Sequence, residues 1–297
     1  ESCACSAARM VSRGVGILES HSLSDTPFTD SGGSRLQPVL YPKYRRLIEV
    51  RGSSACNDPA LVVDQTHRDT VFYMPFEHVN EHAKIVIVGI TPGPNQMALA
   101  YDEVKALSSK GLSEDEILSK VKSIAAFGDE TMRPNLVRML NAMKIDRLLG
   151  IRDAGELWAS SYDALHATSV IPHAAFRNGK MFAGSFDQVL RSDAFSAGFR
   201  RDFLPSLRAL PDEAFFVALG PTPLDALQWC VTHGHIQAHQ LLGALAHPSR
   251  SSGSQVDIYL GLKDPQDLNP NDPVRHRVEW LQRASQSLRQ RVAQLTA

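Results

Sequence analysis

Apolar residues along the chain fall into short unbroken runs separated by stretches with helical spacing. The first run, Ile85-Val86-Ile87-Val88 closed by Gly89, is β-branched throughout, the pattern of a strand buried on both faces of a parallel sheet. Runs over 164–171, 214–219 and 241–246 read the same way. Between them, Ser113-Glu114-Asp115-Glu116 has the form of a capping box, followed at helical spacing by Ile117, Leu118, Val121 and Ile124. Further helices are predicted over 44–50, 134–143, 185–190, 203–209, 223–232 and 272–295. The last carries Val274, Val278, Leu281, Leu288 and Val292 on one side. Alternating strands and helices predict a single three-layer α/β/α domain over 37–297, built on a central four-stranded, mostly parallel sheet. Residues 1–36 are rich in Ser, Gly, Thr and Asp without a sustained period, which predicts a disordered or poorly packed arm.

Composition narrows the function classes. With 43% apolar and 21% charged residues in 297, the chain has enough core for an ordinary globular domain. A net charge of −1 excludes a uniformly basic nucleic-acid binder and leaves room for a local basic cleft. The longest apolar run, 85–90, is too short to span a bilayer. No basic stretch followed by an apolar segment opens the chain, so no secretory signal is expected. Cys3, Cys5, Cys56 and Cys230 form no C-x2-C pair, which argues against a disulfide framework or zinc ribbon and for a reducing, cytoplasmic setting. His233-Gly234-His235 lacks partner ligands, so no metal is expected.

In open α/β sheets, ligands bind beyond the carboxyl ends of the strands, so the loops leaving the strands are the candidate sites. Gly89-Ile90-Thr91-Pro92-Gly93-Pro94 is a stiff turn, and neither a P-loop nor a dinucleotide fingerprint. Taken alone it reads equally well as a plain strand-to-helix turn. The last run leaves through Ala246-His247-Pro248-Ser249-Arg250-Ser251, which places an imidazole, fixed by proline, at the end of a buried strand. Taken alone, that histidine reads as a strand cap.

Together, G-x-x-P-G-P after the first strand and H-P-S after the last resemble the uracil-DNA glycosylase superfamily. The Met97-Ala98 continuation is most similar to its single-strand-selective monofunctional branch. Thr168-Ser169-Val170-Ile171-Pro172 resembles that family's base-reading strand, and Phe216-Val217-Ala218-Leu219-Gly220 its next strand and helix entry. The resemblance spans 72–262. It implies a monofunctional enzyme that flips a damaged or modified pyrimidine out of DNA, single- or double-stranded, and hydrolyses its glycosidic bond. The setting implied is DNA repair, or defence against phage DNA with modified cytosines. No cofactor, no membrane and a monomeric state are expected. With no lysine in the motifs, no Schiff-base step is expected.

By the same resemblance, His247 donates a hydrogen bond to the pyrimidine O2, where charge develops, and Thr91 stands at the water-orienting position. Gly89, Ile90, Pro92, Gly93 and Pro94 border the substrate. Pro92, Gly93, Pro248 and Ser249 pinch the phosphate backbone, with Ser251 beside them, and Arg250 is the wedge or a phosphate contact. Two departures stand out. Thr91 replaces the usual Asn or Asp, and Ser169 replaces the Asn that reads the uracil edge, leaving a smaller residue and room for a larger base. Asn95 or Gln96 is a substitute amide or a surface residue. Met97 and Tyr101 either stack on the base or pack into the core. His173 and Arg177-Asn178 either line the pocket or belong to a solvated loop. Arg275, Arg277, Arg283, Arg289 and Arg291 are candidate DNA contacts, with smaller patches at Arg200-Arg201 and at Lys43, Arg45 and Arg46. Loss of the Asn or Asp leaves an alternative, a non-catalytic reader of flipped or modified bases.

Overall fold

Three of the four strands of the main sheet alternate between two separate cores, and that alternation organises the molecule. The computed structural model describes residues 40–128, 130–249 and 253–296; the arm expected over 1–36 and the loop residues Arg250 and Ser251 lie outside them. In chain order the elements are α1 (Tyr41–Arg51), β1 (Val62–Gln65), β2 (Asp69–Phe72), β3 (Ile85–Gly89), α2 (Pro94–Ser108), α3 (Glu114–Ala125), α4 (Met132–Ala142) and α5 (Ile145–Leu149). There follow β4 (Leu165–Ser169), β5 (Ala174–Arg177), β6 (Lys180–Met181), α6 (Phe186–Leu190), α7 (Asp193–Gly198) and α8 (Leu204–Leu207). The chain continues through β7 (Phe215–Leu219), α9 (Pro221–Thr232), β8 (Leu241–Leu245), α10 (Gln255–Leu260) and α11 (Val278–Thr296).

The main sheet has the order β4-β3-β7-β8 with every pair parallel. Ile85 and Ile87 enter a core shared with α1–α4, α10 and α11. Val86 and Val88 enter the opposite core, with α6, α7 and α9. Helices cover both faces, which is why the strands read as continuous apolar runs. The register sets Gly89 beside Ser169, Val88 beside Ala218 and Leu219 beside Leu245. All four carboxyl ends therefore reach one edge. In β8 the pairing slips between Phe216 and Val217, and Gly243 there holds φ +139°, a bulge conformation suited to glycine.

The capping box forms as expected: the Ser113 hydroxyl accepts from the Glu116 N–H and the Glu116 carboxylate accepts from the Ser113 N–H. Several expectations are corrected. Ile124 is 37% exposed despite its spacing. The helix expected over 203–209 is reduced to α8, preceded by a π-helical turn Phe199–Phe203. The final helix begins at Val278, because the Asp272 carboxylate accepts from the Val274 N–H and the Ser254 hydroxyl, a local turn that competes with helix.

A second, antiparallel sheet, β1-β2-β5-β6, has no counterpart among the expected elements. Its strands are two to four residues long, too short for a period of two to show. A charged bolt fastens it: Arg177 grips Asp69 at 2.7 and 2.9 Å, and Ser192 donates to the same carboxylate at 2.7 Å. Among the described residues no helix is long and apolar enough to cross a membrane.

Candidate active site at the strand ends

The carboxyl edge of the sheet opens onto a cavity of about 460 Å³, a size typical of small-molecule sites. β3 contributes Gly89 and the following Ile90 and Thr91, β7 contributes Leu219 with Gly220 and the start of α9, Pro221 and Thr222, after it, and the loop after β8 contributes His247 and Ser249. Gln96, Phe127 and Met132 form one wall, Met181 to Ala183 another. Gln255, His276, Arg277 and Trp280 complete it from the C-terminal segment. No carboxylate and no lysine lines it among the described residues.

His247 is held in a defined orientation. Its Nδ1 lies 3.0 Å from the Ser249 hydroxyl and accepts from the Ser249 N–H at 3.4 Å. A backbone N–H can only donate, so this contact uses Nδ1 as an acceptor and leaves Nε2 as the donor nitrogen of the ring. The loop backbone is clamped from two helices: Gln255 donates to the His247 carbonyl at 2.6 Å, and Asn135 to the Pro248 carbonyl at 3.0 Å. Buried Gln255 in turn accepts from Arg277 at 3.4 Å.

Thr91 faces the cavity, yet its hydroxyl is already engaged. It donates to the His173 carbonyl at 2.7 Å and accepts from the Ala175 N–H at 2.9 Å, tying the first loop to β5. The single hydroxyl proton is spent on protein. A water could be held there through a remaining lone pair alone, which is a weaker role than the water-orienting one expected.

Ser169 sits just behind the cavity and lines a small adjoining void of about 10 Å³. Gln96 and Phe127 are common to both spaces. A Cβ on Gly89 would lie 3.3 Å from the Ser169 hydroxyl and 3.4 Å from the Phe127 ring, so this close approach favours glycine. Of the two candidate amides, Asn95 is exposed and Gln96 is buried, its oxygen accepting from the Phe127 N–H at 3.4 Å. Gln96 is the amide at this wall.

Phe127 was not singled out by the sequence. It holds φ +52°, uncommon for a bulky residue and a form of stored strain often found at functional sites. The turn is fixed from behind. Arg133 donates to the carbonyls of Ser123, Ile124 and Ala126 at 3.2, 2.7 and 3.3 Å. A Cβ on Gly128 would fall 2.3 Å from the Ile124 carbonyl oxygen, so only glycine fits beside that cap.

Other expected site residues lie elsewhere. Met97 and Tyr101 are buried in the core, where the Tyr101 hydroxyl donates to the Tyr73 carbonyl at 2.6 Å; neither reaches the cavity. Pro92 and Pro248 are buried behind their loops, Gly93 is half-buried and Pro94 begins α2 on the surface. Arg177 is committed to Asp69, with its guanidinium over the rings of Phe182 and Phe195. Among the C-terminal arginines, Arg289 and Arg291 donate to the Ala142 and His239 carbonyls, Arg275 donates to Leu268, and Arg283 pairs with Glu279. Arg277 is the one that lines the cavity.

His173 belongs to a separate polar void of about 20 Å³, shared with Glu77, Lys122, His166 and Asp202, enough for about one water. Burial pushes Lys122 down to about 7 and Glu77 up to about 7, and depresses His166 well below the usual histidine range. His166 Nδ1 accepts from the Asn80 N–H at 3.2 Å, and its Nε2 has no hydrogen-bond partner among the described residues.

No protein-family model and no solved structure matches the chain. The chain is similar to the uncharacterized protein YoxB of Bacillus subtilis (strain 168), 28% identical over 187 residues that make up 63% of this chain and 73% of that protein.

Proposed function

We propose that this protein is a monofunctional DNA glycosylase of the uracil-DNA glycosylase kind, which receives an extrahelical pyrimidine and hydrolyses its N-glycosidic bond to leave an abasic site. The observation that carries this reading is His247, an imidazole whose Nδ1 faces the Ser249 N–H, held just past the last parallel strand on a cavity that Gly89, Ile90 and Thr91 of the first loop also line. As the C1′–N bond breaks, its electron pair leaves with the base and charge gathers on O2. A donor aimed there is stronger in the transition state than in the ground state, which is the condition for catalysis. Water then adds to the oxocarbenium carbon and gives its proton to solvent.

The cavity volume and the wall of His276, Arg277 and Trp280 suit a pyrimidine with a bulky polar substituent at its 5-position better than plain uracil. Repair of damaged bases and defence against phage DNA with modified cytosines both call for such chemistry. The test is a single-turnover assay on oligonucleotides carrying uracil, 5-hydroxymethyluracil, 5-hydroxymethylcytosine or glucosylated cytosine, followed by alkali cleavage at abasic sites. Alkali-labile strands from a 5-substituted pyrimidine support the reading; their absence from every substrate overturns it.

The engaged hydroxyl of Thr91 favours a second reading, a non-catalytic reader of flipped or modified bases. A reader shifts the same oligonucleotides in a gel and produces no alkali-labile strand.

A further inference from the structure

The polar void around His166 and Lys122 is separate from the candidate active site, and its lining is unbalanced between donors and acceptors. His166, on β4, is 1% exposed. Its Nδ1 accepts from the Asn80 N–H, which leaves Nε2 as the donor nitrogen of the ring, and that nitrogen has no hydrogen-bond partner among the described residues. Lys122, on α3, is 4% exposed; its ammonium donates to the His78 carbonyl at 2.6 Å and forms no ion pair among the described residues. That carbonyl takes one of three protons. The lining carboxylates are committed to other donors. Glu77 accepts from the Leu40 N–H and the Tyr73 hydroxyl. Asp202 takes two hydrogen bonds from Arg201, which also holds Asp64 of β1, and it faces His173 Nε2 at 3.6 Å. His173 Nδ1 in turn accepts from the Met74 N–H at 3.1 Å. What remains at the void is a buried cation and an orphaned N–H. A metal ion is the wrong occupant for that pair, since neither group offers it a lone pair.

We propose that this void binds one monatomic anion, a chloride or bromide ion, held between the Lys122 ammonium and His166 Nε2. Its volume of about 20 Å³ takes a single particle of about the size of water and excludes sulfate or phosphate. A buried charge without an ionised partner is costly, and an anion in contact offsets that cost. The charges of the lining change with pH in the matching direction. Burial brings Lys122 down to about 7 and Glu77 up to about 7. Below that value Lys122 is charged and Glu77 neutral; above it the two are reversed. His78, between β2 and β3, and His166 are held below the usual histidine range by burial and by the Lys122 charge, and His173 by burial. None of the three adds positive charge near neutrality. The anion is therefore held below about pH 7 and released above it. The site is independent of the glycosylase reading. It meets the candidate active site at His173, whose carbonyl accepts from the Thr91 hydroxyl at 2.7 Å.

Bromide is the probe, because its anomalous X-ray scattering identifies it. A crystal of the full chain equilibrated with sodium bromide at pH 6 should show an anomalous peak in the void beside Lys122 and His166, and at pH 9 the peak should be gone. In solution at pH 6, the wild-type melting temperature should rise by about 2–5 °C for each tenfold increase in bromide above the dissociation constant, as one-site linkage requires for a chain of this size. The wild-type response at pH 9, where the anion is released, measures the general effect of the salt. Lys122→Met replaces the cation with an apolar chain of similar length. His166→Asn keeps an acceptor for the Asn80 N–H and lacks the Nε2 donor. Each variant should lose most of the extra rise at pH 6. A void without an anomalous peak at pH 6 overturns the proposal, and so does a bromide response equal in wild type and in the variants. The crystallographic arm uses wild type alone, so it decides the matter even where a variant fails to fold.

Discussion

The Nδ1 of His247 lies 3.0 Å from the hydroxyl oxygen of Ser249, so the two outer residues of the H-P-S motif orient each other across the proline. Removing the donor should be costly. His247→Ala is expected to slow excision by about 10²-fold or more, as deletion of a single oxyanion-type donor does, with little change in DNA binding. Ser249→Ala, which loosens the ring without deleting it, should cost less. Single-turnover rates and gel shifts check both, and a folded His247→Ala protein at near-normal rates would overturn the site.

Phe127 holds its ring at the cavity wall at the expense of backbone strain. Phe127→Gly removes both, so its thermal destabilisation should be smaller than that of Phe216→Ala in the core, where such a change costs about 3–5 kcal/mol. Affinity for a flipped base should fall by about 1–3 kcal/mol, the value of one base–aromatic stack. Calorimetry and titration with an oligonucleotide separate the two effects.

Arg277 and Arg289 make a matched pair for electrostatics. Binding to DNA should weaken with added salt, because cationic side chains displace condensed counterions. Arg277→Ala should reduce the slope of log K against log salt by about one. Arg289→Ala, which loses a bond to the Ala142 carbonyl, should leave the slope unchanged. Equal slopes for all three proteins would place the DNA path away from this wall.

Lys122 gives a pH dependence with a definite sign. Burial lowers its native pKa to about 7 from 10.5, so between those values the unfolded chain holds a proton that the native state has released. Stability should therefore rise with pH across that window, and below about 7 the full cost of a buried charge is present. Glu77, raised from 4.5 to about 7, acts in the other direction at lower pH: its contribution is present below 4.5 and lost as pH rises to about 7. Lys122→Met should flatten the rise above neutrality and raise the melting temperature at pH 7. Melting curves from pH 7 to 10 check it; an unchanged slope in the variant would assign the rise to another group.

β3, β7 and β8 were legible because each is apolar on both faces, and the strand-end rule then singled out His247 and Thr91. The fine chemistry was not. Whether the Thr91 hydroxyl is available depends on His173 and Ala175, which reach it through a sheet whose strands are too short to read. The Asn178-Gly179 dipeptide was a usable hairpin signal that the flanking residues, Phe176-Arg177 and Lys180-Met181, did not reinforce with clear alternation. Phe127, His276, Arg277 and Trp280 reach the cavity only through tertiary packing, and no local period marks them. Tyr101 and Met97 have the spacing of a site and the burial of a core, a distinction made by the neighbouring helix.

The C-terminal helix α11 lies against β8, where Leu288 Cβ would be 3.7 Å from a Cβ on Gly243. β8 is one of the two edge strands of the main sheet, and α11 covers an apolar face of it. The same segment closes the cavity through Trp280. One helix therefore both covers apolar core and walls the candidate cavity, so shortening the chain there to widen the cavity would also bare the apolar surface that α11 buries.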